Sequence, residues 1–203
     1  MAQGQNYIIR GPGAAWTAPH KIGIKMVNAG RNAQTQISKD SGTMTDENFR
    51  PEDHMIGGDH YFEDLVIGQK FPIPSRTMTD ALFAAFQLAS GDNHPIHYDI
   101  EYCRARGHQN MLAHGFQVLI QTAPGAGTFP YFIGNSLIGF IEQSSRFLKP
   151  VYAGDTVYPM LTVIKLKPQN TTGVVTLSST VHNQRRELLL EGKQKFLLKK
   201  RPS

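Results

Sequence analysis

Residues 107 to 141 contain no Asp, Glu, Lys or Arg, although charged residues make up 18% of the 203-residue chain. So long an uncharged run belongs inside protein or inside lipid. Gly, Pro, Gln, Asn and His interrupt it too often for a membrane span, so it reads as a buried helix followed by a buried strand. Leu112, Phe116, Leu119, Ile120 and Ala123 fall at helical spacing, and Pro124-Gly125 ends the pattern. The spacing predicts a long apolar helix from about Ala113.

The flanking sequence supplies a sheet. A short strand is predicted over 71–77, then a helix from about Thr79 with Leu82, Ala85, Phe86 and Ala89 on one face. Further strands are predicted over 136–148, 156–166, 173–183 and 188–198, separated by Lys167-Pro168-Gln169-Asn170 and Asn183-Gln184-Arg185-Arg186. Val175, Leu177, Ser179 and Val181 alternate with Thr176, Ser178 and Thr180, as in a sheet with one packed face and one wet face. The expected class is α+β, an antiparallel sheet wrapped around a long central helix.

Composition places this in one domain, with 40% hydrophobic residues and no internal repeat. Cys103 is the sole cysteine, which excludes an intrachain disulfide, and no Cys/His cluster has zinc spacing, so no metal is assigned. The net charge of +5 is uneven. Residues 1–43 hold Arg10, Lys21, Lys25, Arg31 and Lys39 against Asp40 alone, leaving +1 for the rest. No basic stripe interleaved with aromatics runs through the body, which argues against nucleic acid as a partner. Residues 1–55 are assigned as a basic leader and 56–203 as the folded domain. The leader lacks the apolar core of a secretory signal. It fits a disordered tail, an organelle transit peptide, or sequence upstream of a start at Met44.

Chemistry concentrates in Ser90-Gly91-Asp92-Asn93-His94-Pro95-Ile96-His97. A carboxylate and an imidazole lie five positions apart in a loop stiffened by Pro and bent by Gly, behind an amphipathic helix. Converging there, they would form an acid/base pair suited to moving protons near neutral pH, with water as the natural guest. A capped turn with a satisfied histidine is the alternative reading of the same residues.

Context comes from two later segments, Met111-Leu112-Ala113-His114-Gly115-Phe116 and Arg146-Phe147-Leu148-Lys149-Pro150-Val151 through Gly154-Asp155-Thr156. With the Gly91-Asp92-x-x-Pro95-x-His97 run, these resemble the MaoC-like family of R-specific enoyl-CoA hydratases and dehydratases, over about Tyr61 to Lys200. The resemblance implies a hot-dog fold and addition or removal of water across the 2,3 double bond of an acyl-CoA thioester. It makes Asp92 and His97 the catalytic pair holding the water. Gly115 becomes the oxyanion donor through its backbone N–H, free in the first turn of the helix.

His94 departs from the pattern, standing where the family carries an orienting Asn, and is itself a candidate orienting residue. His114 reads as a structural, hydrogen-bonded histidine and Cys103 as a small buried side chain. Arg104, Arg106, Lys149 and Arg185 are candidate phosphate contacts, and none is assigned. The resemblance further implies a homodimer or higher homo-oligomer and no cofactor beyond the coenzyme A of the substrate, while the interrupted apolar run gives the expectation of no membrane association. Cytoplasm is the default location, or an organelle matrix if residues 1–43 are a transit peptide. A hot-dog thioesterase and a catalytically silent acyl-CoA-binding subunit are the competing functions on this fold.

Overall fold

In the computed structural model, four long strands carry the architecture: β3 (Leu137–Phe147), β4 (Thr156–Pro168), β5 (Thr172–Asn183) and β6 (Leu188–Lys199). The structure describes residues 49–51, 58 and 60–202. The leader, and with it the expected start of the domain, lies almost wholly outside them. All pairings are antiparallel, in the order β1-β4-β5-β6-β3, with β1 (Lys70–Pro72) and β2 (Arg76–Thr77) both on β4. The long strands match the alternation in the sequence to within two residues at each end. The strand expected over 71–77 is split instead. Pro72 pairs with Met160 and Arg76 with Val157, so the upstream segment carries one extra residue between these pairs. Pro74, lacking an N–H, stands in that gap.

Helix α1 (Asp80–Ser90) begins where Thr79 accepts a hydrogen bond from the Leu82 N–H and ends at Gly91, whose φ of 71° lies in the left-handed region. Its buried side chain is Phe83, flanked by half-buried Leu82 and Phe86, whereas Ala85 and Ala89 face solvent. The α2 (Ile100–Arg104) and α4 (Phe129–Ile133) helices are single turns.

The central helical segment departs most from expectation. It is not one long helix: α3 (Gly115–Leu119) gives way to 3-10 turns at Ile120–Thr122 and Pro124–Ala126. Nor does it bury the expected face. Phe116 is 73% exposed and Ile120 51%, while Gln117, Val118, Gln121 and Thr122 turn onto the sheet. The apolar spacing is present in the sequence, but the side of the segment packed on the sheet is the one carrying Val118 and the polar Gln117, Gln121 and Thr122.

The buried face of the sheet holds two apolar clusters. One gathers Phe71, Phe129, Ile133, Leu161, Val175, Leu177, Phe196 and Leu198. The other gathers Met78, Phe83, Val118, Val157, Val181, Leu189 and Leu190. Between them runs a polar band. Gln143 of β3 faces Gln194 of β6, and Ser145, Gly192 and Ser179 form the next cross-strand row. The Gln194 amide donates to the Thr122 carbonyl and hydroxyl oxygens, both at 3.0 Å, tying the band to the helix. The amide N and O of Gln143, the Gln194 Oε1 and the Ser179 Oγ are buried with no partner among the described groups. Each such unmet group costs about 1–3 kcal/mol of stability.

Candidate active site

Gly91 turns the chain out of α1, and the next residues fold back on themselves. Asp92 Oδ1 accepts from the His94 N–H at 3.2 Å, and His94 Nδ1 accepts from the Ile96 N–H at 3.3 Å, capping the 3-10 turn Pro95–His97. The Ile96 carbonyl accepts from the Leu112 N–H at 3.0 Å and from the Cys103 Sγ at 3.1 Å. Cys103 is fully buried, in line with a small packing side chain. The capped turn and the converging pair, alternatives in the sequence, coexist here because Asp92 caps with Oδ1 and leaves Oδ2 free.

That Oδ2 lies 3.9 Å from His97 Nε2. The separation is too long for a direct hydrogen bond, and one water oxygen can lie within bonding distance of both atoms. His97 Nδ1 sits 2.7 Å from the Leu112 carbonyl oxygen. A carbonyl only accepts, so Nδ1 carries the proton and Nε2 presents a lone pair toward Asp92. Burial pulls the His97 imidazole below its ordinary value of 6.5, with His114 and His94 adding to the fall, while the Leu112 carbonyl and Asp92 act in the opposite sense. The ring is therefore neutral at pH 7. Its side chain is 13% exposed and that of Asp92 52%, so the pair is reached by solvent from the Asp92 side.

His114 is more central than its sequence context indicates. Its ring stacks on His97 with centroids 3.7 Å apart, its Nε2–H donates to the Asp92 carbonyl oxygen at 3.1 Å, and Phe86 of α1 packs on it at 4.9 Å. It joins loop and helix into one body. Asp92, His97 and His114 offer ligand atoms within 4.8 Å of one another. With His114 Nε2 engaged by Asp92 and its Nδ1 3.3 Å from Gln117 Oε1, only Asp92 Oδ2 and His97 Nε2 are free to act on a guest.

Gly115, next to His114, is the first residue of α3 and is solvent-exposed. Its N–H has no intrahelical acceptor. Over five residues the helix dipole is small, so what Gly115 can offer is the amide itself rather than a long helix's field. It borders a cavity of about 320 Å³ formed with Val118, Phe147, Lys149 and Val151. A Cβ at Gly115 would stand 3.4 Å from the Phe147 ring, so the absent side chain leaves the approach open. A larger cavity, about 700 Å³, lies on the outer face around Tyr158, Met160 and His182, among none of the motif residues.

The third motif braces the site. Asp155 is buried and accepts from the Tyr152 N–H at 3.0 Å, Gln184 at 2.8 Å and Arg185 at 3.0 Å. Burial acts to raise its carboxyl, and these three donors outweigh it, leaving the group below the ordinary range. Of the cations considered for phosphate, Arg104 pairs with Glu101, Lys149 with Glu187, and Arg185 with Asp155 and Glu187, while Arg106 lies over the Tyr102 ring. Among the described residues no helix is long and apolar enough to cross a membrane.

Comparison with known proteins places these features in a wider set. The model of the MaoC like domain matches residues 64–184. The chain is 31% identical over 114 residues to the (R)-specific enoyl-CoA hydratase of Rhodospirillum rubrum, covering 54% of this chain and 74% of that protein. It is 28% identical over 118 residues to a mitochondrial 3-hydroxyacyl-[acyl-carrier-protein] dehydratase of Arabidopsis thaliana, covering 57% and 67%. Among solved structures it is similar to a monoamine oxidase regulatory protein from Archaeoglobus fulgius, with 31% identity and a TM-score of 0.67 over 73% of this chain and 99% of that one. A Mycobacterium tuberculosis protein described as a double hotdog fold matches at 27% identity and a TM-score of 0.60, over 71% of this chain and 45% of that one.

Proposed function

The chain belongs to the MaoC-like domain family, and from that premise we propose that it hydrates enoyl-CoA thioesters, or dehydrates 3-hydroxyacyl-CoA thioesters, with Asp92 and His97 handling the water. The observation that carries this reading is the 3.9 Å gap between Asp92 Oδ2 and His97 Nε2, with the His97 tautomer fixed by Leu112.

In the hydration direction the thioester oxygen accepts from the Gly115 N–H, and the chain's β-carbon lies over the water. Water oxygen attacks C3 as His97 Nε2 takes one of its protons, and the C2–C3 π electrons move onto the thioester oxygen as an enolate. Asp92 holds the second water hydrogen. The imidazolium, steadied by the Leu112 carbonyl and Asp92, then protonates C2 on the same face, giving the 3-hydroxyacyl thioester and a neutral His97. Dehydration is the reverse. No metal and no cofactor beyond the substrate's own coenzyme A enter this scheme.

The working form in this reading is a homodimer. Among the described residues β3 pairs only with β6, leaving its other edge open, and apolar Phe140, Ile141 and Phe147 on it and Phe116 and Ile120 beside it are exposed. A second copy is the partner that would cover such an edge.

Assay with enoyl-CoAs, following both loss of the double bond and release of free thiol, tests the proposal. Double-bond loss without thiol, reduced about a hundredfold or more in Asp92→Asn and His97→Ala with folding intact, is the expected result. Thiol release would make the protein a thioesterase, and substrate binding without either reaction would make it a silent acyl-CoA-binding subunit.

A further inference from the structure

The cavity of about 700 Å³ on the outer face shares no lining residue with the one beside Gly115, and the chemistry above leaves it unused. Strand alternation sets its floor. Val157, Leu161 and Val163 of β4 turn into the core, so Tyr158, Met160 and Thr162 turn outward. Tyr158 stands directly opposite His182 of β5, and Met160 lies between Thr180 of β5 and Pro72 of β1. Ile73 is the single branched aliphatic side chain in the lining, and the other apolar surfaces are two prolines, a phenol ring and a thioether. Such a floor suits a flat ring better than an alkyl chain.

Both ends of this trough are cationic. Lys70 is paired with Thr162 at one end, and at the other Arg186 closes the turn after Asn183, which is paired with Val157. No Asp or Glu lines the cavity, and among the described residues neither cationic side chain has an ion-pair or hydrogen-bond partner. The neighbouring amides are already engaged, Asn183 Nδ2 by Glu187 and Gln184 Nε2 by Asp155. Arg186 is also the one non-glycine residue among those described with a left-handed backbone, φ 63°, a position that Gly fills without strain. A strained Arg at the rim of a cavity that holds no acid is a cation left open to an outside anion.

We propose that this trough binds a flat aromatic dianion, its rings laid on Tyr158, Met160 and His182 and an acid group at each end meeting Lys70 and Arg186. Three strands span about 10 Å and residues 158 to 162 about 14 Å, so 700 Å³ over that footprint gives a depth of about 5 Å, enough for a ring lying face down. Val157 and Thr162, which mark the two ends, are five residues or about 17 Å apart along β4, and two charge contacts of about 3 Å leave about 11 Å for the ligand. That is the size of two fused rings with an acid group on either side. Binding here does not depend on the reading of Asp92 and His97, neither of which lines the trough.

The test is calorimetric titration of the intact protein with naphthalene-2,6-dicarboxylate, set against naphthalene-2-carboxylate, which lacks one charge, and decanedioate, which keeps both charges on a flexible chain. The aromatic dicarboxylate is expected to bind about tenfold tighter than either. Arg186→Gly and Lys70→Met should each bring it down to the affinity of the monoacid. Because Arg186→Gly relieves the left-handed strain, its melting temperature should hold or rise, which separates a lost contact from a lost fold. Tyr158→Leu should weaken both naphthalene acids and leave decanedioate unchanged. Equal binding of the three ligands, no binding at millimolar concentration, or a preference that survives both charge variants overturns the proposal.

Discussion

The His97 and His114 rings lie face to face, 3.7 Å between centroids and 23° from parallel, and the second ring also holds the carbonyl of Asp92. One side chain thus sets the position of both members of the pair. His114→Phe keeps a flat ring for stacking and loses the bond, whereas His114→Gln keeps a donor and loses the stack. Each should lower kcat about tenfold to a hundredfold with a smaller effect on KM, as expected when reacting groups are misplaced and not removed. Steady-state kinetics on correctly folded variants reads this directly, and an unchanged kcat in both would remove His114 from the site.

The acid limb of kcat/KM should lie below pH 6.5. Burial lowers His97, so its neutral form, the one with a free Nε2, persists below the ordinary histidine range and is lost as pH falls through the lowered value. Because the charge of His114 contributes to that lowering, His114→Phe should move the limb to higher pH. A pH–rate profile with its acid limb above 6.5 would contradict this.

His94, which the sequence resemblance sets where an orienting Asn is expected, caps the Ile96 N–H with its Nδ1. An Asn oxygen can accept the same bond. His94→Asn should therefore keep activity within about threefold while shifting the acid limb slightly upward, since the charge of His94 also lowers His97. His94→Ala, lacking any acceptor, should destabilise the fold by about 1 kcal/mol in denaturant titration.

Light scattering at micromolar concentration should give at least twice the chain mass. Placing a charge at Phe116, 73% exposed on α3, should shift that equilibrium toward monomer without unfolding the chain, as seen by an unchanged circular dichroism spectrum.

Acid stability should depend on the turn between β5 and β6. Lys149, Asn183 and Arg185 donate to the Glu187 carboxylate at 2.8, 2.7 and 2.9 Å and lower it from 4.5 to about 2. A carboxyl lowered in the folded state contributes stability that is complete above its unfolded value and is lost as pH falls through the folded value. Glu187→Gln should flatten the pH dependence of the melting temperature between about 4.5 and about 2, and match the unaltered protein below that window.

The long strands are legible in the sequence because period-two alternation and Pro/Gly/Asn turns are local signals. Asp92 and His97 are legible as a pair because both are held within one short loop, although their 3.9 Å gap depends on Leu112, fifteen residues beyond His97. His114 is legible as a structural, hydrogen-bonded histidine, but its partners are not, since the stack and the bond reach residues seventeen and twenty-two positions away. The α3 faces are misread for a related reason. Periodicity marks Phe116 and Ile120 as apolar without saying what covers them, and the inward polar residues are held by partners the spacing does not show: Gln117 by His114, Gln121 by the Gln117 carbonyl and Thr122 by Gln194.

Strand β5 crosses from one apolar cluster to the other at Ser179, with Leu177 on one side and Val181 on the other. Its backbone ladder is continuous through that point, but its side-chain packing is not. The sheet is in effect two slabs sharing one set of backbone bonds, and a seam of this kind is where native-state opening concentrates. Amide hydrogens around Ser179 and Gln194 should exchange ahead of those around Val175 and Leu190, so that the softest line of the sheet runs beneath Thr122.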